Sequence, residues 1–304
     1  MSHPAQQNPS RRYILLLMVL VPVLWSLAGM VIRHLHRVNT PEIIFWRSLS
    51  ASVFVCLVLL VARKKRFLAS WRHAGYLGVL SAVFWGVTFT CFLLSLTLTT
   101  VANTLVVDSI TPLVTALLAW LMLRQKPPVR TWVAALFTFG GVAWMFADNL
   151  SGLGGTHLTG MLLALVLPFA YAFNFIILNA AGQKTDMLPG ICLGGLLSAL
   201  VVLPFAHPFK AGLSDVGVMV GLGVFQLGLP CVLLVYAARF LPPAEIALLV
   251  LLETLLGPLW VWIGIDEIPS NSTLMGGIVV MLSLLLHEIG AIRPDRPRGA
   301  SRKH

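Results

Sequence analysis

The sequence predicts an all-α integral membrane protein of ten transmembrane helices, arranged as two inverted five-helix repeats. Three observations predict it. The 304 residues are 58% hydrophobic and only 11% charged, against roughly 25% charge in a soluble domain. The apolar residues fall into about ten segments, each near the roughly 17–25 residues that cross a bilayer. The two halves of the chain also repeat each other: adding 142 lays Gly86 on Gly228, Ala102 on Ala244 and Pro127 on Pro269. Five spans per half is an odd number, so the second copy enters the membrane upside down. Inverted repeats are the architecture of secondary transporters, whose site lies near the bilayer midplane between the copies.

The spans expected, in order, are 13–33, 41–61, 74–97, 101–123, 131–148, 157–179, 188–206, 216–239, 243–265 and 273–290. They divide the chain into a disordered N-terminal tail (1–12), a first repeat (13–148), a linker (149–156), a second repeat (157–290) and a basic C-terminal tail (291–304). The first segment is too apolar for too long to be a cleaved signal peptide, and no small-residue cleavage site follows it before Arg33. The linker reads Asn149-Leu150-Ser151-Gly152-Leu153-Gly154-Gly155-Thr156, the composition of a flexible connection. It lacks the glycine spacing of a phosphate-binding loop. Both tails are polar and rich in Pro or Arg.

Charge placement sets the orientation. The net charge is +10. With the N-terminus in the cytoplasm, the inner segments hold Arg11, Arg12, Arg63, Lys64, Lys65, Arg66, Arg72, Arg124, Lys126, Arg130, Lys184, Arg239, Arg293, Arg296, Arg298, Arg302 and Lys303. The outer segments hold only Arg33, Arg37 and Lys210. This is the positive-inside bias, which puts both termini in the cytoplasm. The basic charge thus follows membrane topology and not a nucleic-acid patch. The turn 124–127 is basic where its repeat mate 266–269 is acidic, as expected of equivalent turns on opposite faces. Cys56, Cys91, Cys192 and Cys231 all fall within spans and lack metal-site spacing, which makes them small packing residues. No metal or other cofactor is expected. HExxH, GxSxG and clustered His are all missing, so the sequence points away from enzymes.

Within spans, Gly190 with Gly194 and Gly217 with Gly221 form GxxxG patterns that let helix backbones touch. A polar group in a span is costly unless it faces a cavity or a partner. Arg47 lies about six residues into its span, roughly 9 Å deep at the helical rise. Asp108, Asn174, Asn179, Gln226 and Glu253 are the other buried polar candidates. Counting depth from the start of each span puts Trp25, Trp85, Tyr171, Gln226 and Glu253 near mid-membrane. Trp25 pairs with Tyr171 at a local offset of 146, which also lays Pro22 on Pro168, and Phe84 pairs with Gln226. Aromatic residues deep in spans either pack or line a cavity. Trp71, Trp120, Trp132 and Trp144 near span ends read as interface anchors. Glu253 either contacts substrate or sits as a neutral acid bonded to backbone. Asp108 either does the same or forms a structural ion pair with Arg47, which starts from the same face at similar depth. The expected substrate contacts are therefore Trp25, Trp85, Asp108, Tyr171, Asn174, Gln226 and Glu253, with Arg47 as ion-pair partner. Pro22, Pro112, Pro168, Pro230 and Pro258 interrupt spans and supply candidate hinges.

The second half runs from Tyr236 through Pro242-Pro243-Ala244-Glu245 and Glu253 to Pro258-Leu259-Trp260 and Asp266-Glu267-Ile268-Pro269. It resembles the EamA-type transporters of the drug/metabolite transporter superfamily. The first half carries a weaker copy in Ala102, Thr111-Pro112 and Lys126-Pro127, with Trp25 and Arg47 at positions where that family commonly has Trp and Arg. Thr254 replaces the proline that usually follows the glutamate, and Gln125 replaces a glutamate before the first turn. The resemblance covers about residues 13–290. It implies an inner-membrane carrier that exports small polar metabolites, amino acids or related compounds foremost, by alternating access. The partners implied are a small-molecule substrate and the lipid bilayer, with proton coupling open and no nucleic acid. The residues leave monomer and dimer equally open. A multidrug, quaternary-amine or nucleoside exporter of the same fold is the alternative. From another class, an intramembrane lipid-modifying enzyme or a lipid flippase is the rival.

Overall fold

The computed structural model describes residues 10–35, 38–64, 67–123, 129–152, 155–181, 185–238, 240–241, 243–265 and 269–292. They form α1 (Arg11–Ser26), α2 (Ala28–Arg33), α3 (Thr40–Arg63), α4 (Phe67–Leu98), α5 (Val101–Asp108), α6 (Thr111–Leu123), α7 (Val129–Gly152), α8 (Gly155–Ala181), α9 (Leu188–Ala206), α10 (Leu213–Gly221), a π-helical segment (Leu222–Gly228), α11 (Leu229–Ala237), α12 (Pro243–Ile265) and α13 (Asn271–Ile292). Among the described residues there is no strand. Every apolar segment expected from the sequence is helical. Among the described residues, seven stretches are long and apolar enough to cross a membrane, and Leu249–Gly264 and Asn271–Ser283 form shorter apolar helices. The turns 124–128 and 266–268, most of both tails and the side chain of Asn179 lie outside what is described. So do Lys65, Arg66, Lys184 and Arg239.

Local chemistry explains the breaks. Ser10 caps α1 by accepting from the Tyr13 amide at 3.4 Å, and Thr100 caps α5 through the Asn103 amide at 3.1 Å. Such caps satisfy the first amides of a helix, which have no partner within it. Pro112 has no amide hydrogen to give to the Asp108 carbonyl four residues back. The Thr111 hydroxyl donates to that carbonyl instead, at 2.6 Å, and the span breaks between α5 and α6. In α4, Gly75 adopts φ 53 and ψ −147, a region nearly closed to other residues. This kink divides the helix eight residues after its start at Phe67. The expected linker narrows, because α7 continues through Gly152 and α8 begins at Gly155.

Hydrogen bonds show which helix ends lie together. The Arg33 Nη2 donates to the Thr99 carbonyl at 3.1 Å, and the Thr273 hydroxyl donates to Asn103 Oδ1 at 2.6 Å. At that same end, the Lys210 and Ala211 amides donate to the two Glu42 carboxylate oxygens at 3.0 and 3.1 Å. At the opposite end, the Arg63 Nε meets Asp186 Oδ2 at 2.7 Å. The ends of α2 and α4 thus lie together, as do the starts of α5 and α13, while the end of α3 meets the residues before α9 at the other end.

The helices pack in matched sets. α4 packs on α8 and α9, while α10, the π segment and α11 together pack on α1 and α3. α6 packs on α8 as α12 does on α1, and α3 pairs with α9 as α7 pairs with α13. The first GxxxG pattern works as expected. A Cβ at Gly190 would stand 3.2 Å from the Gly78 carbonyl, and one at Gly194 3.0 Å from the Ala82 carbonyl. The second does not: a Cβ on Gly217 or Gly221 would meet nothing within 4 Å. Those two glycines face outward from α10, so their spacing brings no helix close.

Candidate functional site

A narrow pocket opens where six elements converge. It is lined by Trp25 of α1, Arg47 of α3, Trp85, Thr88, Phe89 and Phe92 of α4, Tyr171 of α8, Gln226 and Leu227 of the π segment, and Glu253 of α12. Five of the seven expected substrate contacts are thus together: Trp25, Trp85, Tyr171, Gln226 and Glu253. The space left between them has room for about one water-sized sphere.

Aromatic rings form most of the wall. Trp85 meets Tyr171 edge-on with ring centroids 6.2 Å apart, and it lies 5.3 Å from the ring of Phe89. Tyr171 stacks on Phe175 at 6.1 Å. The indole nitrogens of Trp25 and Trp85 are buried and have no hydrogen-bond partner.

The polar part centres on Arg47, which is 1% exposed. Its Nε donates to Gln226 Oε1 at 3.0 Å, and Gln226 Nε2 donates to the Trp25 carbonyl at 3.1 Å. Arg47 Nη1 is buried without a partner. Glu253, Tyr171 and Cys231 lie near enough to interact electrostatically with the guanidinium. No ion pair joins Arg47 to Glu253 or Asp108 among the described residues.

Backbone geometry brings Gln226 here. The Leu229 amide donates to the Val224 carbonyl five residues back, the pattern of a π turn, which is frequent at functional sites. Pro230 follows and has no amide hydrogen to offer the Gln226 carbonyl, so the regular ladder is already interrupted at this point. Gly223 lies flat on α3. A Cβ there would collide with the Ser50 hydroxyl and the Arg47 carbonyl. Without one, the π segment settles against α3 and Gln226 reaches the guanidinium.

Three expectations need correction. Arg47 does not pair with Asp108; it is bonded to Gln226 and lines the pocket itself. Asp108 ends α5 at the helix break, where Thr111 Oγ1 lies 3.3 Å from its Oδ1. It is outside the pocket wall, though near enough to Glu253 and Tyr171 to interact with both. Asn174 is buried between α4 and α8, where its Oδ1 accepts from the Ser81 hydroxyl at 2.6 Å. It does not line the pocket. Thr88, Phe89, Phe92 and Leu227 were not expected. The first three stand three, four and seven residues after Trp85, one face of a helix, and that spacing was the available signal. Thr254, in the place of the usual proline, turns its hydroxyl to the Leu105 carbonyl at 3.4 Å, so it joins α12 to α5.

No group of three or more His, Cys, Asp or Glu that could hold a metal is found among the described residues. Comparison with known proteins gives the family. The sequence profile of the EamA-like transporter family matches residues 12–147 and again residues 158–287. An uncharacterized transporter of Bacillus subtilis (strain 168), YdfC, is 24% identical over 175 residues, or 56% of each chain. The chain therefore spans a little over half the length of that curated relative. One crystal structure superposes on 93% of this chain and 99% of its own with a TM-score of 0.67 at 17% identity, a likeness of fold alone. With two family matches that together span most of its helices, this multi-pass membrane chain belongs to the EamA-like transporters of the drug/metabolite transporter superfamily, a family of transporters and not of enzymes.

Proposed function

We propose that the protein is a secondary carrier of the bacterial inner membrane that exports small polar metabolites, amino acids and related compounds foremost. Ten spans in two inverted five-helix repeats, with both termini in the cytoplasm, would carry it. The matched packing sets support that reading, because they are what exchanging the two halves of a pseudo-two-fold bundle produces. The tight pocket is compatible with alternating access: with room for about one water, it would have to widen to admit a metabolite.

The observation that carries the substrate class is the pairing of charges on the pocket wall. Arg47, with one buried unbonded nitrogen, and the carboxyl side chain of Glu253 border one aromatic-lined space. A zwitterion would supply a partner to each, its carboxylate to Arg47 and its ammonium to Glu253. Trp25, Trp85 and Tyr171 would add apolar and cation–π surface. Asp108 and Asn174, outside the wall, would act through the helix break and the α4–α8 contact.

The test is counterflow of a labelled amino-acid mixture in proteoliposomes, with and without a pH gradient. Saturable exchange is expected in the wild type. Glu253→Gln is expected to lower it at least about tenfold, given what a charge-assisted hydrogen bond contributes. A gradient effect that vanishes in this variant would assign proton coupling to Glu253. No exchange of any amino acid by folded protein sinks the amino-acid reading and turns the search to quaternary amines and nucleosides.

A further inference from the structure

Gln226 is the one polar residue of the pocket with both ends of its side chain already engaged. Its oxygen accepts from Arg47 Nε and its nitrogen donates to the Trp25 carbonyl. This orientation is fixed by its neighbours, since a guanidinium can only donate and a carbonyl can only accept. The Trp25 carbonyl lies beside the break between α1 and α2, where the Leu27 amide is also directed at it, and a carbonyl oxygen has two lone pairs to offer. Gln226 thus bridges α1 and α3 from the π segment. Arg47 is held by its Nε side, and its Nη1 is left buried and unbonded. An unsatisfied buried charged donor is among the costlier defects a fold can keep, and a transported anion group would satisfy it.

We infer that Gln226 is a positioning residue that holds the Arg47 guanidinium with its Nη1 edge free for the carboxylate of the transported molecule, rather than a substrate contact. This deepens the substrate reading above and rests on it. It makes Gln226 the element that gives the site its preference for carboxylates over the matching amines. It also ties that preference to a closed arrangement of α1, α3 and the π segment, because the relay needs all three in place.

Two measurements on the full chain in nanodiscs test it. The first follows the Arg47 Nε–H signal in protein labelled with 15N-arginine, assigned through Arg47→Lys. A signal slow to exchange with solvent is expected in the wild type and in Gln226→Glu, which keeps an acceptor. It is expected to be lost in Gln226→Met. The second compares binding of a labelled amino-acid mixture with binding of the corresponding decarboxylated amines. Gln226→Met should lower amino-acid binding about tenfold, the scale of a lost hydrogen bond to a charged group, and leave amine binding unchanged. Arg47→Gln should give at least the same loss, and the double variant no more than Arg47→Gln alone.

An Nε–H signal unchanged in Gln226→Met overturns the inference. So does a parallel loss of amine and amino-acid binding, or a double variant in which the losses multiply. Wild type that binds neither mixture removes the amino-acid reading, while the arginine signal still decides the positioning role. Should Gln226→Met fail to fold, Gln226→Asn withdraws the amide from Arg47 while keeping its polarity, and it is judged by the same outcomes.

Discussion

By the 142-residue offset, α4 corresponds to the span made of α10, the π segment and α11. Three adjacent pairs measure how far the two copies agree. Trp85 and Leu227 both line the pocket. Gly86 and Gly228 both face the opposite half: a Cβ on Gly86 would stand 3.2 Å from the Gly194 carbonyl of α9, and one on Gly228 2.8 Å from Phe54 of α3. The copies part at Phe84 and Gln226. Phe84 stacks on Phe173 with centroids 5.2 Å apart, whereas Gln226 turns to Arg47. The backbone differs at the same place, α-helical in α4 and π-wound over Leu222–Gly228. Shared positions build the scaffold and its close contacts. The change of winding in one copy builds the polar site.

Breaking that winding should have the largest effect. Gly223→Ala puts a methyl group into the Ser50 hydroxyl and the Arg47 carbonyl, so the π segment must lift from α3. The expected cost is about 2–3 kcal/mol, the upper range for overpacking a tight interface, read as a lower unfolding midpoint in detergent. Slow exchange of the Arg47 Nε–H should be lost with it. A fully stable Gly223→Ala with that signal intact would mean that the π segment does not depend on the close approach.

The sequence made the depth of each candidate legible, but not the direction in which it points. Trp25, Trp85, Tyr171, Gln226 and Glu253 stood out because deep polar and aromatic residues are conspicuous in apolar spans, and they do converge. Arg47 was matched to Asp108 on depth alone. Depth says nothing of rotation about the helix axis, and a π turn changes that rotation without a composition signal of its own. Gly223 and Pro230 are its traces, and glycine and proline are too common in membrane helices to be read as such. Asn174 was misplaced for the same reason: it lies at a suitable depth, on the face of α8 turned to Ser81. Thr88, Phe89 and Phe92 look like any apolar face until Trp85 is known to border a pocket. Glu42 gave no signal either, because a lone carboxylate at a span start reads as a polar terminus. In the fold it receives two backbone amides from the loop before α10.

The same pair of spans offers a milder contrast in Gly75 and Gly217, which also correspond at 142. A Cβ would meet nothing within 4 Å at either position, so space does not explain either glycine. Conformation explains one of them. Gly75 holds φ 53 and ψ −147 at the α4 kink, and alanine there should cost about 1–2 kcal/mol in backbone strain.

Gly217 lies within the regular helix α10, which has no positive φ among its described residues. Alanine at that position restricts the unfolded chain and favours the helix, so Gly217→Ala should stabilise by about 0.5–1 kcal/mol. The two substitutions are chemically identical and expected to be opposite in sign, so paired unfolding curves in one detergent compare them directly. A destabilising Gly217→Ala would show that the outward face of α10 is covered in the membrane, which a second copy of the chain packed on Gly217 and Gly221 would explain.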